Sequence, residues 1–309
     1  MSGRILVIRG GAIGDFILTL PAIGLIRQNL PKTRIEILGY PAITRLALSP
    51  EYADAVHSIE YAPLARFFSR KPVLDPQMVE FFKSYQQIIS YLYDPDGIFE
   101  NNLKSAGVKN LLRGPGKLSD DMHAVHQLAQ PLEQMAFFLE DTSARFNPDA
   151  KDLESAAPYL NNLMQPFVAI HVGSGGKRKN WSSENWLRVI TLLSVMNFPV
   201  LLIGGEADQE NLQVLRLQTN LPSAENLPLR TLGAILSKSR LFLGHDSGIS
   251  HLAAATGTKC LLLFGPTDPE VWAPLNPNVK VLTSPEGNME SITFDQVAKW
   301  INQELTIQQ

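Results

Sequence analysis

The chain has 309 residues, 45% hydrophobic and 18% charged, with a formal net charge of −3; at about 100–200 residues per domain, that is enough for two ordinary folded domains. The near-neutral balance, with no long run of like charges, excludes a duplex nucleic-acid binder, which needs a basic face. The only cysteine, Cys260, excludes an intrachain disulfide, and no stretch approaches the roughly 18 apolar residues of a membrane-spanning helix.

The first hydrophobic run, Ile5 to Ile8, is too short for a secretory signal. A cytoplasmic protein is expected, in at most peripheral contact with the inner membrane. The chain opens with a buried-strand pattern, Arg4-Ile-Leu-Val-Ile8, followed by a glycine turn, Gly10-Gly-Ala-Ile-Gly14. An apolar helical run follows from Asp15 to Asn29, and Pro21 inside it is expected to kink or break the helix. A second strand over Arg34–Leu38 completes a β-turn-α-β unit, the opening of a parallel doubly wound sheet. Further strands are expected at Ala55–Ile59, Gln87–Leu92 and Val108–Leu112, with helices around Pro41–Leu48 and Pro76–Tyr85. The segment Tyr61–Leu74 mixes prolines, phenylalanines and basic residues and reads as a mobile loop or short helix.

From Arg145 to Pro166 Asn, Asp, Pro and Ala dominate, as in an interdomain linker. The opening theme then returns. A strand over Phe167–Val172 leads into the glycine turn Gly173-Ser-Gly-Gly176, and helices are expected at Ser183–Asn197, Glu206–Gln218, Arg230–Ser237 and Ser247–Thr256. Strands are expected at Pro199–Ile203, Leu241–Leu243, Lys259–Phe264 and Val279–Leu282. Ser291 to Leu305 has apolar residues at helical spacing. Cys260 lies in the apolar run Lys259–Phe264 and reads as a small buried strand residue. Two doubly wound domains are therefore expected, 1–150 and 151–290, with ligands at the carboxyl ends of the strands and the active site in the cleft between the domains.

Several strand-end turns could carry chemistry. Gly10, Gly11 and Gly14 allow a ligand close to backbone N–H groups at a helix start, but their spacing is neither that of a dinucleotide fingerprint nor that of a P-loop. Asp15 at that helix start is either an N-cap or a general base for a hydroxyl. Gly173-Ser-Gly-Gly-Lys-Arg-Lys-Asn-Trp181 combines small residues with three cations; it is a solvated basic turn or a diphosphate site. Glu206 caps a helix or accepts from ribose hydroxyls. In Gly244-His-Asp-Ser-Gly-Ile-Ser-His251, Asp246 and Ser247 are good caps, and His251 is either a packed core residue or faces the phosphate turn. His245 and His251 lack a third metal ligand at a recognised spacing, and one short turn does not give Asp246, Ser247 and His251 the geometry of a catalytic triad. Thr267 and Asp268 could reach the cleft, but turn chemistry alone accounts for them.

Taken together, these segments resemble the ADP-heptose:lipopolysaccharide heptosyltransferase family, glycosyltransferase family 9. The resemblance is carried by Gly14-Asp-x-x-Leu-Thr-x-Pro21, by Gly173–Trp181 and Gly204–Glu206, by Asp246-Ser-Gly-x-x-His-Leu-Ala-Ala254, and by Leu263-Phe-Gly-Pro-Thr-Asp-Pro269. It implies a GT-B fold, two Rossmann-like domains with the donor held mainly by the second, and the C-terminal helix, 291–309, packing back on the first. It implies an inverting, metal-independent transfer of heptose from ADP-heptose, with no cofactor, onto a lipopolysaccharide-core or related glycolipid or glycan acceptor. By position, Asp15 is the implied base. Gly14, Ser174, Gly175 and Lys179 match donor-phosphate positions, Glu206 the ribose contact, and Asp246, Ser247, Gly248 and His251 the donor turn. Residues 40–165 carry little of the resemblance, and Arg66, Arg70 and Lys71 are candidate acceptor-side cations there. Lipopolysaccharide-core members often carry histidine where this chain has Leu18. A nucleotide-sugar epimerase of the same fold and a non-catalytic nucleotide-sugar-binding protein are the alternatives. A Rossmann dehydrogenase is disfavoured by the missing fingerprint.

Overall fold

A computed structural model describes residues 3–306. The chain divides into two compact units, Met1–Thr142 and Ser143–Gln309, so the boundary falls before the expected break at residue 150.

The first unit runs β1 (Arg4–Arg9), α1 (Ile13–Asn29), β2 (Arg34–Gly39), α2 (Pro41–Thr44), β3 (Ala55–Ser58), α3 (Pro76–Lys83), β4 (Gln87–Ser90), α4 (Ile98–Ser105), β5 (Leu111–Arg113) and α5 (Ala124–Ala129). Its five strands lie in the order β3-β2-β1-β4-β5, all parallel, with Val7 opposite Ile37 on one side and Ile89 on the other. The central strand β1 reads as an unbroken apolar run, Ile5 to Ile8, because both its faces are covered. Leu6, Ile8 and Ile88 pack with Phe82, Phe99 and Leu103 in one core. Helix α1 is buried on every side from Phe16 to Ile26 and packs on α5, as expected for a helix that is apolar all round. It runs unbroken through Pro21, so the expected break does not occur. Segment Tyr61–Leu74 contains a 3-10 helix, Ala62–Phe68, anchored by buried Leu64 and Phe67.

The second unit runs α6 (Ala150–Leu160), β6 (Val168–His171), α7 (Ser183–Val195), β7 (Val200–Gly204), α8 (Gln209–Thr219), β8 (Ser223–Glu225), α9 (Leu229–Leu236), β9 (Leu241–His245), α10 (Gly248–Ala255), β10 (Cys260–Phe264), α11 (Pro269–Trp272), β11 (Val279–Thr283) and α12 (Phe294–Thr306). The sheet order is β11-β10-β9-β6-β7-β8, again all parallel. One expectation needs correction here. The supposed linker contains α6, which Asp149 caps by accepting from the N–H groups of Lys151 and Asp152. This helix packs on α9, and Arg230 of α9 holds Asp152 at 2.5 Å. The C-terminal helix α12 packs along α7. Its Val297, Trp300, Ile301 and Leu305 lie in the second unit's own core with Val189, Leu193 and Val200. Residues 307–309 of that expected segment lie outside the described residues.

One buried carboxylate ties the first sheet together. Glu36 Oε1 accepts from Arg4 (2.8 Å) and Arg34 (2.8 Å), and Oε2 from Tyr85 (3.0 Å), with His57 Nε2 at 2.5 Å. Burial alone would raise this carboxyl, but the hydrogen bonds from His57, Arg4, Arg34 and Tyr85 win and hold it at about 2. Because the folded value lies below the unfolded one, the stabilisation is present above about pH 4.5 and is lost as pH falls toward about 2. Glu36→Gln should therefore cost about 2 kcal/mol near neutral pH, leaving donors unmatched. In urea titrations the difference from the unchanged protein should shrink as the pH is lowered through that window. A constant difference across the window would refute the linkage.

Candidate active site

Each sheet has one place where the strand order reverses, and in open parallel sheets ligands settle at the carboxyl ends of the strands there. In the second unit that point lies between β6 and β9. The loop after β6 carries Gly173–Trp181, and the turn after β9 carries Asp246 and Ser247. The topology thus brings together two segments that the sequence marks separately.

His245, the last residue of β9, is fully buried and fastens the loop at both ends. Its Nε2 accepts from Trp181 N–H (2.9 Å), and its Nδ1 donates to the Gly173 carbonyl (3.3 Å). Burial pushes its pKa down to about 3, so the ring is neutral at ordinary pH. With both nitrogens engaged on the backbone, it has none left for a metal. Trp181 packs edge-on against Trp186 and donates to the Ile292 carbonyl at 2.8 Å, which makes it a core residue. Gly173 must lack a side chain, since a Cβ there would strike the Asp208 carboxylate.

Within the clamped loop, Ser174 is buried and its Oγ lies 2.7 Å from Asn180 Oδ1 and 3.1 Å from the Gly176 carbonyl. Gly175 faces open space. Lys179 ends a short 3-10 turn and places Nζ 2.6 Å from Asp246 Oδ2, with about a third of its side chain exposed. The cation of one segment is therefore paired with the acid of the other before any ligand arrives. Ser247 caps α10 by accepting from Ser250 N–H (3.2 Å). Gly248 opens α10, and its next amides are the ready anion donors of a helix start. His251 is buried in the first turn of α10. Glu206 stands exposed in the 3-10 turn after β7. Asp268 caps α11 by accepting from Glu270 N–H at 2.9 Å.

Three residues of this cluster escaped the sequence reading. His171 closes β6, with Nε2 3.1 Å from Asp208 Oδ2 and Nδ1 3.3 Å from Ser247 Oγ. Ser250 Oγ donates to the His245 carbonyl. The available signal was a histidine at the end of an apolar strand run. Asp208 gave none, because it sat inside an expected helix.

In the first unit, Asp15 is the third residue of α1, not its N-cap. Its Oδ2 accepts the Ala12 N–H at 3.0 Å, and Gly14 precedes it in the same turn. About a third of the Asp15 side chain is exposed. Arg9, at the end of β1, is buried beneath it, with its guanidinium 3.3 Å from the Asp15 carbonyl and 3.9 Å from Oδ1. Burial lowers the Arg9 pKa, and the Asp15 charge opposes that shift. This places a carboxylate over a fixed cation at the β1–β4 reversal point. Of the acceptor-side cations, two are engaged by groups of the protein itself. Arg70 pairs with Asp96 at 3.2 Å and lines a cavity of about 400 Å³ with Ile98, Asn101 and Asn102. Arg66 bonds the Val73 carbonyl at 3.0 Å, and Lys71 is exposed. Among the described residues no group of three or more His, Cys, Asp or Glu is arranged to hold a metal, and no helix is long and apolar enough to cross a membrane.

Residues 117–300 match the model of glycosyltransferase family 9 (heptosyltransferase). Lipopolysaccharide heptosyltransferase 1 of Escherichia coli O18:K1:H7 is 22% identical, with 97% of each chain covered. Among solved structures, a family 9 glycosyl transferase from Veillonella parvula superposes with TM-score 0.81 at 16% identity, covering 99% of this chain and 97% of its own. E. coli heptosyltransferase WaaC with ADP superposes with TM-score 0.72 at 16% identity, covering 97% and 99%.

Proposed function

The chain belongs to glycosyltransferase family 9, the heptosyltransferases, and has their GT-B fold; from that premise we propose that it moves heptose from ADP-heptose onto a lipopolysaccharide-core or related surface glycolipid, with inversion and without a metal. The observation that carries this reading is the convergence of Lys179, Ser174, Ser247 and the α10 amides at one strand-order reversal. A cation, hydroxyls and a helix start are the donor set that a diphosphate needs. Solved relative WaaC is described with ADP, which supports adenosine as the nucleoside.

In this mechanism, the Asp15 carboxylate takes the proton of the acceptor hydroxyl as the oxygen attacks the anomeric carbon. The bond from that carbon to the diphosphate oxygen breaks, and ADP leaves with the electron pair. Lys179 and the α10 amides stabilise the charge that develops on ADP. The lysine supplies the positive charge a divalent cation would otherwise bring, which supports metal-independence. Glu206 receives the ribose hydroxyls, and Arg66, Arg70 and Lys71 meet the anionic acceptor. With a glycolipid acceptor, the protein works at the cytoplasmic face of the inner membrane as a peripheral enzyme.

Incubation with ADP-heptose, lipid-linked core acceptor and excess EDTA should release ADP and raise the acceptor mass by one heptose. ADP release with no acceptor product, or donor conversion without acceptor, would refute the transferase reading. Activity abolished by EDTA and restored by added metal would refute metal-independence alone.

A further inference from the structure

The cavity of about 400 Å³ in the first unit is lined by Arg70, Asp96, Ile98, Asn101 and Asn102. Its volume falls within the roughly 300–1,000 Å³ of small-molecule pockets. Ile98, Asn101 and Asn102 stand at i, i+3 and i+4 of α4 and so share one face. Asp96 comes from the turn before that helix. Arg70 comes from the segment after the 3-10 helix Ala62–Phe68, which is pinned to α4 by the stacked rings of Phe68 and Phe99, 4.8 Å apart.

Asn102 is buried, at 7% exposure, and its amide is fixed. Its Nδ2 donates to the carbonyls of Phe67 and Ser69, both at 2.8 Å. Turned over, the amide would set its oxygen against two carbonyl oxygens, so chemistry decides the orientation. Both amide protons are engaged, and Oδ1 has no donor among the described residues. A buried acceptor left so in a cavity wall calls for a donor from a ligand. Asn101 is exposed beside it, and its side-chain amide has no protein partner among the described residues.

The charge in the cavity is balanced, because Arg70 holds Asp96 at 3.2 Å. The start of α4, which would draw an anion, is already occupied: Asp94 accepts from the N–H groups of Phe99 (3.2 Å) and Glu100 (3.0 Å). A phosphate or carboxylate would also meet the Asp96 charge and the Asn102 oxygen, and an ammonium would meet Arg70. Donors and acceptors side by side with no net charge, next to apolar Ile98, match the hydroxyls and C–H face of a sugar ring.

Resting on the transferase reading above, we propose that this cavity is a subsite for a neutral sugar of the glycan acceptor. A sugar hydroxyl donates to Asn102 Oδ1, and its neighbours bond the Asn101 amide and the Arg70–Asp96 pair. Asp96 offsets the Arg70 charge, so here the guanidinium serves hydroxyls, whatever anionic groups the acceptor carries elsewhere.

The test is saturation-transfer NMR on the full chain, with ADP present and no ADP-heptose. The probes are the methyl glycosides of mannose, glucose, galactose and N-acetylglucosamine. At least one should receive saturation, with a dissociation constant of about millimolar order, and inorganic phosphate should not displace it. Asn101→Ala, a change at an exposed position, should weaken that binding roughly fivefold. Asp96→Asn removes the carboxylate and uncovers the Arg70 charge, so phosphate should then displace the sugar. No transfer to any of the probes, equal binding in Asn101→Ala, displacement by phosphate from the unchanged protein, or no effect of phosphate on Asp96→Asn overturns the proposal. Glycoside binding here by a protein that transfers no heptose overturns the transferase reading and leaves the cavity a sugar site. Heptose transfer without glycoside binding overturns the cavity alone.

Discussion

Asp15→Asn should lower kcat about 100- to 10,000-fold, the range a positioned general base contributes, with donor KM and melting temperature little changed. The amide keeps the shape of the carboxylate, and its oxygen can still accept the Ala12 N–H that Asp15 now holds at 3.0 Å. What it loses is the capacity to take a proton. Arg9 keeps its backbone partners, the carbonyls of Asp15 and Tyr91 at 3.3 and 3.4 Å, so the buried guanidinium is not stranded. Initial rates at saturating acceptor, read beside a melting curve, separate the chemistry from the fold. A variant within a few-fold of the original kcat would remove Asp15 from the role of base and leave it as the residue that closes the first turn of α1.

Lys179→Ala should weaken ADP binding by about 1.5–3 kcal/mol, the range for a hydrogen bond to a charged group. Two effects add. The diphosphate loses its cation, and Asp246, whose Oδ2 now lies 2.6 Å from Nζ, becomes an uncompensated negative charge in the phosphate turn. The double variant Lys179→Ala/Asp246→Asn should therefore bind ADP better than the single one, and the recovery measures the repulsion alone. Folding stability should barely move, because an ion pair with a partner a third exposed contributes little in water. Calorimetry on the single and double variants checks both statements. Unchanged affinity in Lys179→Ala would take the lysine out of the donor site, and a double variant no better than the single would mean that Asp246 does not face the phosphates.

Some of this site was legible without coordinates, because local chemistry recurs in local sequence. The glycine-rich turns after β1 and β6, the Asp-Ser pair before α10 and the cations of Gly173–Trp181 are readable as strand-end turns, whatever surrounds them. The linker reading of Arg145–Pro166 failed for a related reason. Its polar, alanine-rich composition looks unstructured until Arg230, 78 residues away, supplies the partner for Asp152. The C-terminal helix was readable as an amphipathic helix, but its period names no partner, and α7 is the surface it covers.

The sequence by itself determined two α/β domains built from buried parallel strands, the turns at their carboxyl ends, and membership of the family, since each of these rests on short-range pattern and residue type. Only the tertiary structure decided which turns meet. The Lys179–Asp246 pair spans 67 residues, the His245 bonds to Trp181 and Gly173 span 64 and 72, and the Ser247–His171–Asp208 chain closes over 76 and 37. The order of strands in the sheet sets those contacts, because reversing direction between β6 and β9 puts two distant loops side by side. Strand order is settled by the packing of the whole unit, and no local window of residues contains it.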